Sequence, residues 1–217
     1  MVEGADYTLR RDRLEDGRLT TLYIVRYPRA GVRIRARVFR QPRRLDHWCS
    51  RHQVHEAIVG GFYRRDPFRP LGELWLDGRE VRGERFNAPY GGIRPALHAT
   101  DGSVRIARRD ALPDRPDGDL LQAGPLLVDE GRIVFDPASD AEGFSVAAEQ
   151  FDSDITAGRH PRAAIRCCRP HGVRFGDGRC PSSAQNTASG YVSHTRPKRS
   201  AAASTAPDTV PSATSGR

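Results

Sequence analysis

Cysteine is scarce in this chain of 217 residues: Cys49, Cys167, Cys168 and Cys180, with a single one before residue 166. That excludes a disulfide framework for the first 165 residues and points to a reducing, cytoplasmic setting. Long apolar runs are missing too. No window reaches the roughly 18 continuous apolar residues of a membrane-crossing helix, and mean hydropathy is −0.62. Residues 1–19, "MVEGADYTLRRDRLEDGRL", mix charges of both signs without an apolar stretch, so no export signal is read there. Lysine is nearly absent as well. Of 35 basic residues only Lys198 is not arginine, a bias that reflects a GC-rich gene more than chosen chemistry. The first 165 residues carry 27 basic and 25 acidic side chains, a net +2. So even a balance leaves no footprint for a nucleic-acid partner. The remaining charge sits from Arg166 onward, where 8 basic residues face 2 acidic ones.

What is present is a series of short strand signals. "TTLYIVRY" (20–27) and "GVRIRARVF" (31–39) read as a hairpin turned at "PRAG", since Val32, Ile34, Ala36 and Val38 alternate with arginines. That arginine stripe is read as the solvated side of a half-buried strand. "PRRLDHWCSRHQVHE" (42–56) sets Leu45, Trp48 and Cys49 on one helical face after Pro42. His47, His52 and His55 share no face with a carboxylate and are read as surface residues, so no metal site is assigned and no cofactor is expected. "LGELWLDGREV" (71–81) turns at Asp77-Gly78, "IRPALHATDGSVRIA" (93–107) at Asp101-Gly102, and "DLLQAGPLLVDEGRIV" (119–134) at Glu130-Gly131 after a break at Gly124-Pro125. Short strands between turns, with one clear helix, specify an α+β domain rich in antiparallel sheet over residues 1–165.

Four of these segments occur together in a recognisable order: "AIVGGFY" (57–63), "LGELWLDGREV" (71–81), "DLLQAGPLLVDEGRIV" (119–134) and "AGRHPRAAI" (157–165). In that order they resemble the phosphodiester glycosidase family, which includes the N-acetylglucosamine-1-phosphodiester N-acetylglucosaminidases and bacterial proteins associated with exopolysaccharide synthesis. The resemblance runs from about Leu19 to Ile165. It implies a hydrolase that acts on a sugar-1-phosphodiester or related glycan, releasing the sugar and leaving a phosphomonoester. It also implies roles for particular residues. Gly60 and Gly61 match the family's Asn-Gly-Gly-Phe-Phe loop and would let backbone N–H groups approach phosphate or sugar. Arg162 would grip the phosphate and His160 would protonate the leaving oxygen, both from the His-Pro-Arg motif. Gln122 would bond a sugar hydroxyl, with Gly124 shaping the wall beside it. Structural readings stand beside these: a bulge at Gly60-Gly61, a ring of His160 packed on Pro161, and Arg162 paired with Asp152 or Asp154. One departure lies at Val59, where the family usually has asparagine, and Arg166 stands where glycine is expected.

After Ile165 the pattern stops. Between Arg166 and Arg217 the large apolar residues are Val173, Phe175, Tyr191, Val192 and Val210, without a period. Such a segment buries too little apolar surface to offset its ordering entropy, and disorder is expected over 166–217. The family's later Asn-Leu-Asp-Gly-Gly-Gly-Ser motif is not found in it, and the segment reads as a frameshifted tail that leaves the domain incomplete. Cys167, Cys168, His171 and Cys180 match no zinc spacing, and "RPKRS" (196–200) is one short basic run. Three functions follow: a hydrolase of sugar-1-phosphodiesters that is inactive as written, a carbohydrate- or phosphate-binding protein without turnover, and a nucleic-acid-associated protein acting through its tail. The sequence leaves the oligomeric state open.

Overall fold

The computed structural model describes residues 4–28, 33–136, 138–149, 151, 162–167 and 187–193. Strand β1 (Asp6–Arg13) and β2 (Leu19–Pro28) pair antiparallel along eight positions, with Asp6 opposite Arg26 and Arg13 opposite Leu19. Gly17 at φ 78° closes the turn, its N–H reaching Leu14 O at 2.8 Å. The strand that forms a hairpin with β2 is 6–13, and not 31–39 as the alternation suggests. Residues 33–39 run without a ladder: Arg35 is drawn to Asp77 (3.0 Å) and Asp101 (2.8 Å), and Ala36 N–H to Asp119 (2.8 Å). Val38 stays 38 % exposed, while Ile34 and Ala36 of the same alternation are half-buried.

Helix α1 (Leu45–His52) carries Asp46 in its first turn and Arg51 and His52 in its last, each sign matched to the helix dipole. Leu45, Trp48 and Cys49 form its half-buried face, and the Phe39 ring meets Trp48 edge-on at 5.4 Å. Gln53 in left-handed conformation ends it. The chain then forms β3 (Phe62–Arg65), β4 (Phe68–Leu71), β5 (Leu74–Leu76) and β6 (Arg79–Glu80). After the short helix α2 (Tyr90–Ile93) follow β7 (Pro95–Ala99), β8 (Val104–Arg108), β9 (Asp119–Gln122), β10 (Val128–Asp129), β11 (Arg132–Ile133), β12 (Arg162–Cys167) and β13 (Thr187–Ser193). The expected turns stand where the sequence puts them. Asp77 and Gly78 both take positive φ between β5 and β6, as do Glu130 and Gly131 between β10 and β11.

The result is α+β and dominated by antiparallel sheet, as expected. A five-stranded sheet has the order β6-β5-β9-β7-β8, a four-stranded one the order β1-β2-β13-β12, and β3-β4 and β10-β11 are two-stranded. Leu120 of β9 is fully buried, with Ala96, Leu112, Trp75 and Ala107 packed about it. Burying that leucine contributes about 1.5–3 kcal/mol. The segment expected to lack structure contains two described pieces. β12 continues past Ile165 to Cys167, and β13 inserts between β2 and β12, with Gly190 opposite both Val25 and Ile165. Thr187–Ser193 is the stretch of that segment that holds Tyr191 and Val192, residue types suited to a strand. No helix among the described residues is long and apolar enough to cross a membrane.

Candidate functional site

β9 is the strand on which the polar interior is built, because it pairs with β5 on one side and β7 on the other. Asp119 at its start is 3 % exposed and accepts from Ala36 N–H and Asp77 N–H, both at 2.8 Å. It thus ties the 33–39 segment and the β5-β6 turn to the same strand end. Gln122 at the other end is 2 % exposed. Its Oε1 accepts from Glu73 N–H at 3.1 Å and its Nε2 donates to Gly91 O at 2.6 Å. The amide expected to meet a sugar hydroxyl therefore holds α2 and the start of β5 against β9.

The glycines of the resemblance gather around this strand. A Cβ on Gly60 would lie 2.6 Å from Leu121 Cδ2, and one on Gly61 3.0 Å from Leu121 Cδ1, so their missing side chains let the loop lie against β9. Phe62 then enters a ring cluster with Phe151 (5.0 Å), Phe144 (5.8 Å) and Phe86 (6.3 Å). Gly124 takes φ 143°, and a Cβ there would stand 2.9 Å from Phe144 Cζ and 3.0 Å from Glu142 Oε2. Arg162 opens β12 in the other sheet with its residue exposed. His160 lies outside the described residues. Gly60, Gly61, Gln122 and Gly124 are thus brought together at β9, while Arg162 stands on a different sheet.

Two buried arginines, neither singled out by the sequence, stand at adjoining strand ends. Arg94 lies just before β7 and Arg109 just after β8, with Arg109 N–H bonded to Arg94 O at 3.0 Å. Arg109 is paired. Its Nε and Nη2 donate to the Glu73 carboxylate at 2.7 and 2.8 Å, and Nη1 donates to Pro113 O at 3.0 Å. Trp75 Nε1 donates to Glu73 at 2.6 Å, and Arg85 lies 3.6 Å away. Burial alone would raise the Glu73 pKa; hydrogen bonds from Arg109 and Trp75 and the two arginine charges reverse this and hold it below the usual value.

Arg94 is arranged differently. It has no exposed surface and sits among rings, its Cζ 3.8 Å from the Phe86 centroid, 4.3 Å from Phe144, 5.2 Å from Phe151 and 5.6 Å from Tyr90. Nε donates to Glu142 O at 2.6 Å and Nη2 to Gly143 O at 2.5 Å, while Nη1 is buried without an acceptor among the described residues. Burial pulls its pKa down to about 10, against the nearby acidic groups Glu142 and Asp140. The Glu142 carboxylate accepts from Leu126 N–H at 3.2 Å and lies 3.8 Å from Arg108. Burial pushes its pKa up, against that N–H and the charges of Arg108 and Arg94.

A shallower cleft of about 480 Å³ lies at the hairpin tips, lined by Arg35, Asp77, Thr100, Asp101, Gly102, Asp117 and Gly118. Arg35 neutralises two of its carboxylates. Among the described residues no group of three His, Cys, Asp or Glu side chains is placed to hold a metal ion. No family profile, curated protein or solved structure matches the chain.

The buried polar set was hard to see beforehand because arginine is everywhere in this sequence. Arg94 and Arg109 look like the many arginines that reach solvent. Glu73 gave one available signal, a carboxylate between Leu71, Leu74 and Trp75 in an otherwise apolar strand start.

Proposed function

We propose that this chain is a phosphodiester glycosidase-like domain that recognises a sugar-1-phosphodiester without turning it over. The observation that supports the reading is spatial. Three of the four segments that carry the resemblance form one wall: Gly60-Gly61 lie on Leu121, Leu74 pairs with Leu121, and Gln122 N–H bonds Glu73 O at 2.9 Å. Binding without turnover is favoured by Val59, 67 % exposed where the family usually presents an asparagine, which removes a polar group from the loop that would approach the ligand.

Incubating the full chain with methylphospho-N-acetylglucosamine tests this, with sugar release followed by chromatography and binding by calorimetry. Binding without release is expected. Release that is lost on Arg162→Ala would restore the active hydrolase. Neither binding nor release would end the reading, and DNA binding lost on deleting 166–217 would replace it with the tail-based function.

A further inference from the structure

The buried Arg94 has an unmet requirement. A guanidinium presents five N–H donors in a fixed plane, and two carbonyls take up the Nε and Nη2 edge. The remaining nitrogen, Nη1, is enclosed and has no acceptor among the described residues. A buried unpaired donor of a charged group is among the costlier things a fold can retain. Glu142, whose charge lies near Arg94 in the fold, turns its carboxylate to Leu126 N–H and Arg108. Beside the charges of Glu142 and Asp140, the guanidinium is met by ring faces, which attract a cation but offer no in-plane acceptor.

The surroundings match the segments on which the proposed function rests. Phe62 directly follows Gly60-Gly61 and packs within the ring cluster around Arg94. The space that a side chain at Gly124 would take lies between Phe144 and Glu142. Arg94 itself holds the chain at Glu142 and Gly143, and so holds the segment that carries Phe144 and Phe151.

We propose that Arg94 is the anion-gripping arginine of this domain and that its open Nη1 edge receives a phosphate oxygen. The assignment rests on the phosphodiester reading for the identity of the ligand, but not for the site. A phosphate oxyanion has the planar-edge acceptors a guanidinium fork matches, and in a ring-lined interior such a bond is stronger than at the surface. Because Arg94 has no exposed surface, the oxyanion reaches Nη1 only as one of the rings around it gives way.

Inorganic phosphate titrated into the full chain, followed by melting temperature and by guanidinium ¹⁵N resonances, tests the site. Saturable stabilisation and a shift of one buried arginine resonance are expected. Arg94→Lys should weaken the apparent Kd at least about tenfold, whereas Arg132→Ala, a surface charge on β11, should change it less than about twofold. If Arg94→Lys does not fold, the wild-type resonances still decide: an Nη signal unmoved at saturating phosphate overturns the proposal. Phosphate binding lost on Arg94→Lys without any binding of the sugar phosphodiester keeps the site and ends the substrate reading. Diester binding indifferent to Arg94→Lys keeps the substrate reading and overturns the site.

Discussion

Arg109 and Arg94 are both buried arginines next to the five-stranded sheet, yet they are stabilised in opposite ways. Arg109 faces Glu73 with two charge-assisted hydrogen bonds and spends its remaining donors on the carbonyls of Leu112, Pro113 and Asp114. Arg94 has two carbonyls, four rings and an open nitrogen. The first arrangement is complete within the chain, as expected of a device that holds a fold together. The second is complete only with something added, as expected of a device that holds a ligand. Neighbouring groups follow the same division. Glu73 is held ionised by its partners, whereas burial favours the protonated form of Glu142.

The sharpest way to break the comparison is to remove one partner of the complete pair. Glu73→Ala leaves Arg109 buried and without its carboxylate, and frees the Trp75 N–H as well. Losing one member of a buried pair costs about 3–5 kcal/mol, a large part of the stability of a domain this size. Urea denaturation should show the midpoint collapsing or no cooperative transition. A loss below about 1 kcal/mol would place this pair with surface ion pairs instead.

Gly124→Ala probes the other region with a smaller expected effect. The residue combines φ 143°, a conformation side chains rarely adopt, with contacts to Phe144 Cζ, Glu142 Oε2 and Pro95 Cδ at 3.2 Å or less. Strain and overpacking each run to about 1–3 kcal/mol, so a destabilisation of about 2 kcal/mol is expected by the same denaturation. Gly92→Ala, in open space, should cost far less. If the two alanines are equivalent, the wall around Arg94 is looser than the geometry gives.

These regions also mark how far the sequence could be read. Local signals carried well. Asp77-Gly78, Asp101-Gly102 and Glu130-Gly131 each stand between the strand pairs they were read to join, since a two-residue turn is written in adjacent residues. The i, i+3, i+4 face of α1 was equally local. Non-local pairing was not legible. The sequence paired β2 with 31–39, whereas 6–13 lies beside it and Ala36 of the 33–39 segment is bonded to Asp119, 83 residues away. β13 could not be read either, because Thr187–Ser193 has little pattern of its own and gains its place from β2 and β12. At the site, the glycines announced a close approach but not what was approached. Gly60, Gly61 and Gly124 proved to face Leu121, Phe144 and Glu142, and the buried Arg94 and Arg109 were hidden among many similar arginines.

The finest test uses pH, where the two carboxylates should pull in opposite directions. Glu73 has a folded pKa below its unfolded one, so its contribution is present above the ordinary carboxylate range and is lost as pH falls through the lowered value. Glu142 has a folded pKa above its unfolded one, so its contribution is present below the ordinary range and is lost as pH rises through the raised value. Glu142→Gln keeps an acceptor for Leu126 N–H and removes the titration, together with the charge facing Arg108 and Arg94. It should therefore lose the part of the stability curve that declines just above the ordinary glutamate pKa of about 4.3, with little change below it. Unfolding free energies measured at intervals between pH 4 and pH 7 would show this as a difference of slope, on the order of 1 kcal/mol per unit of pKa displacement. Parallel curves for wild type and variant would mean that Glu142 titrates as it does in the unfolded chain. The wall beside Arg94 would then be wet enough to solvate a carboxylate, and the open Nη1 would find its acceptor in water.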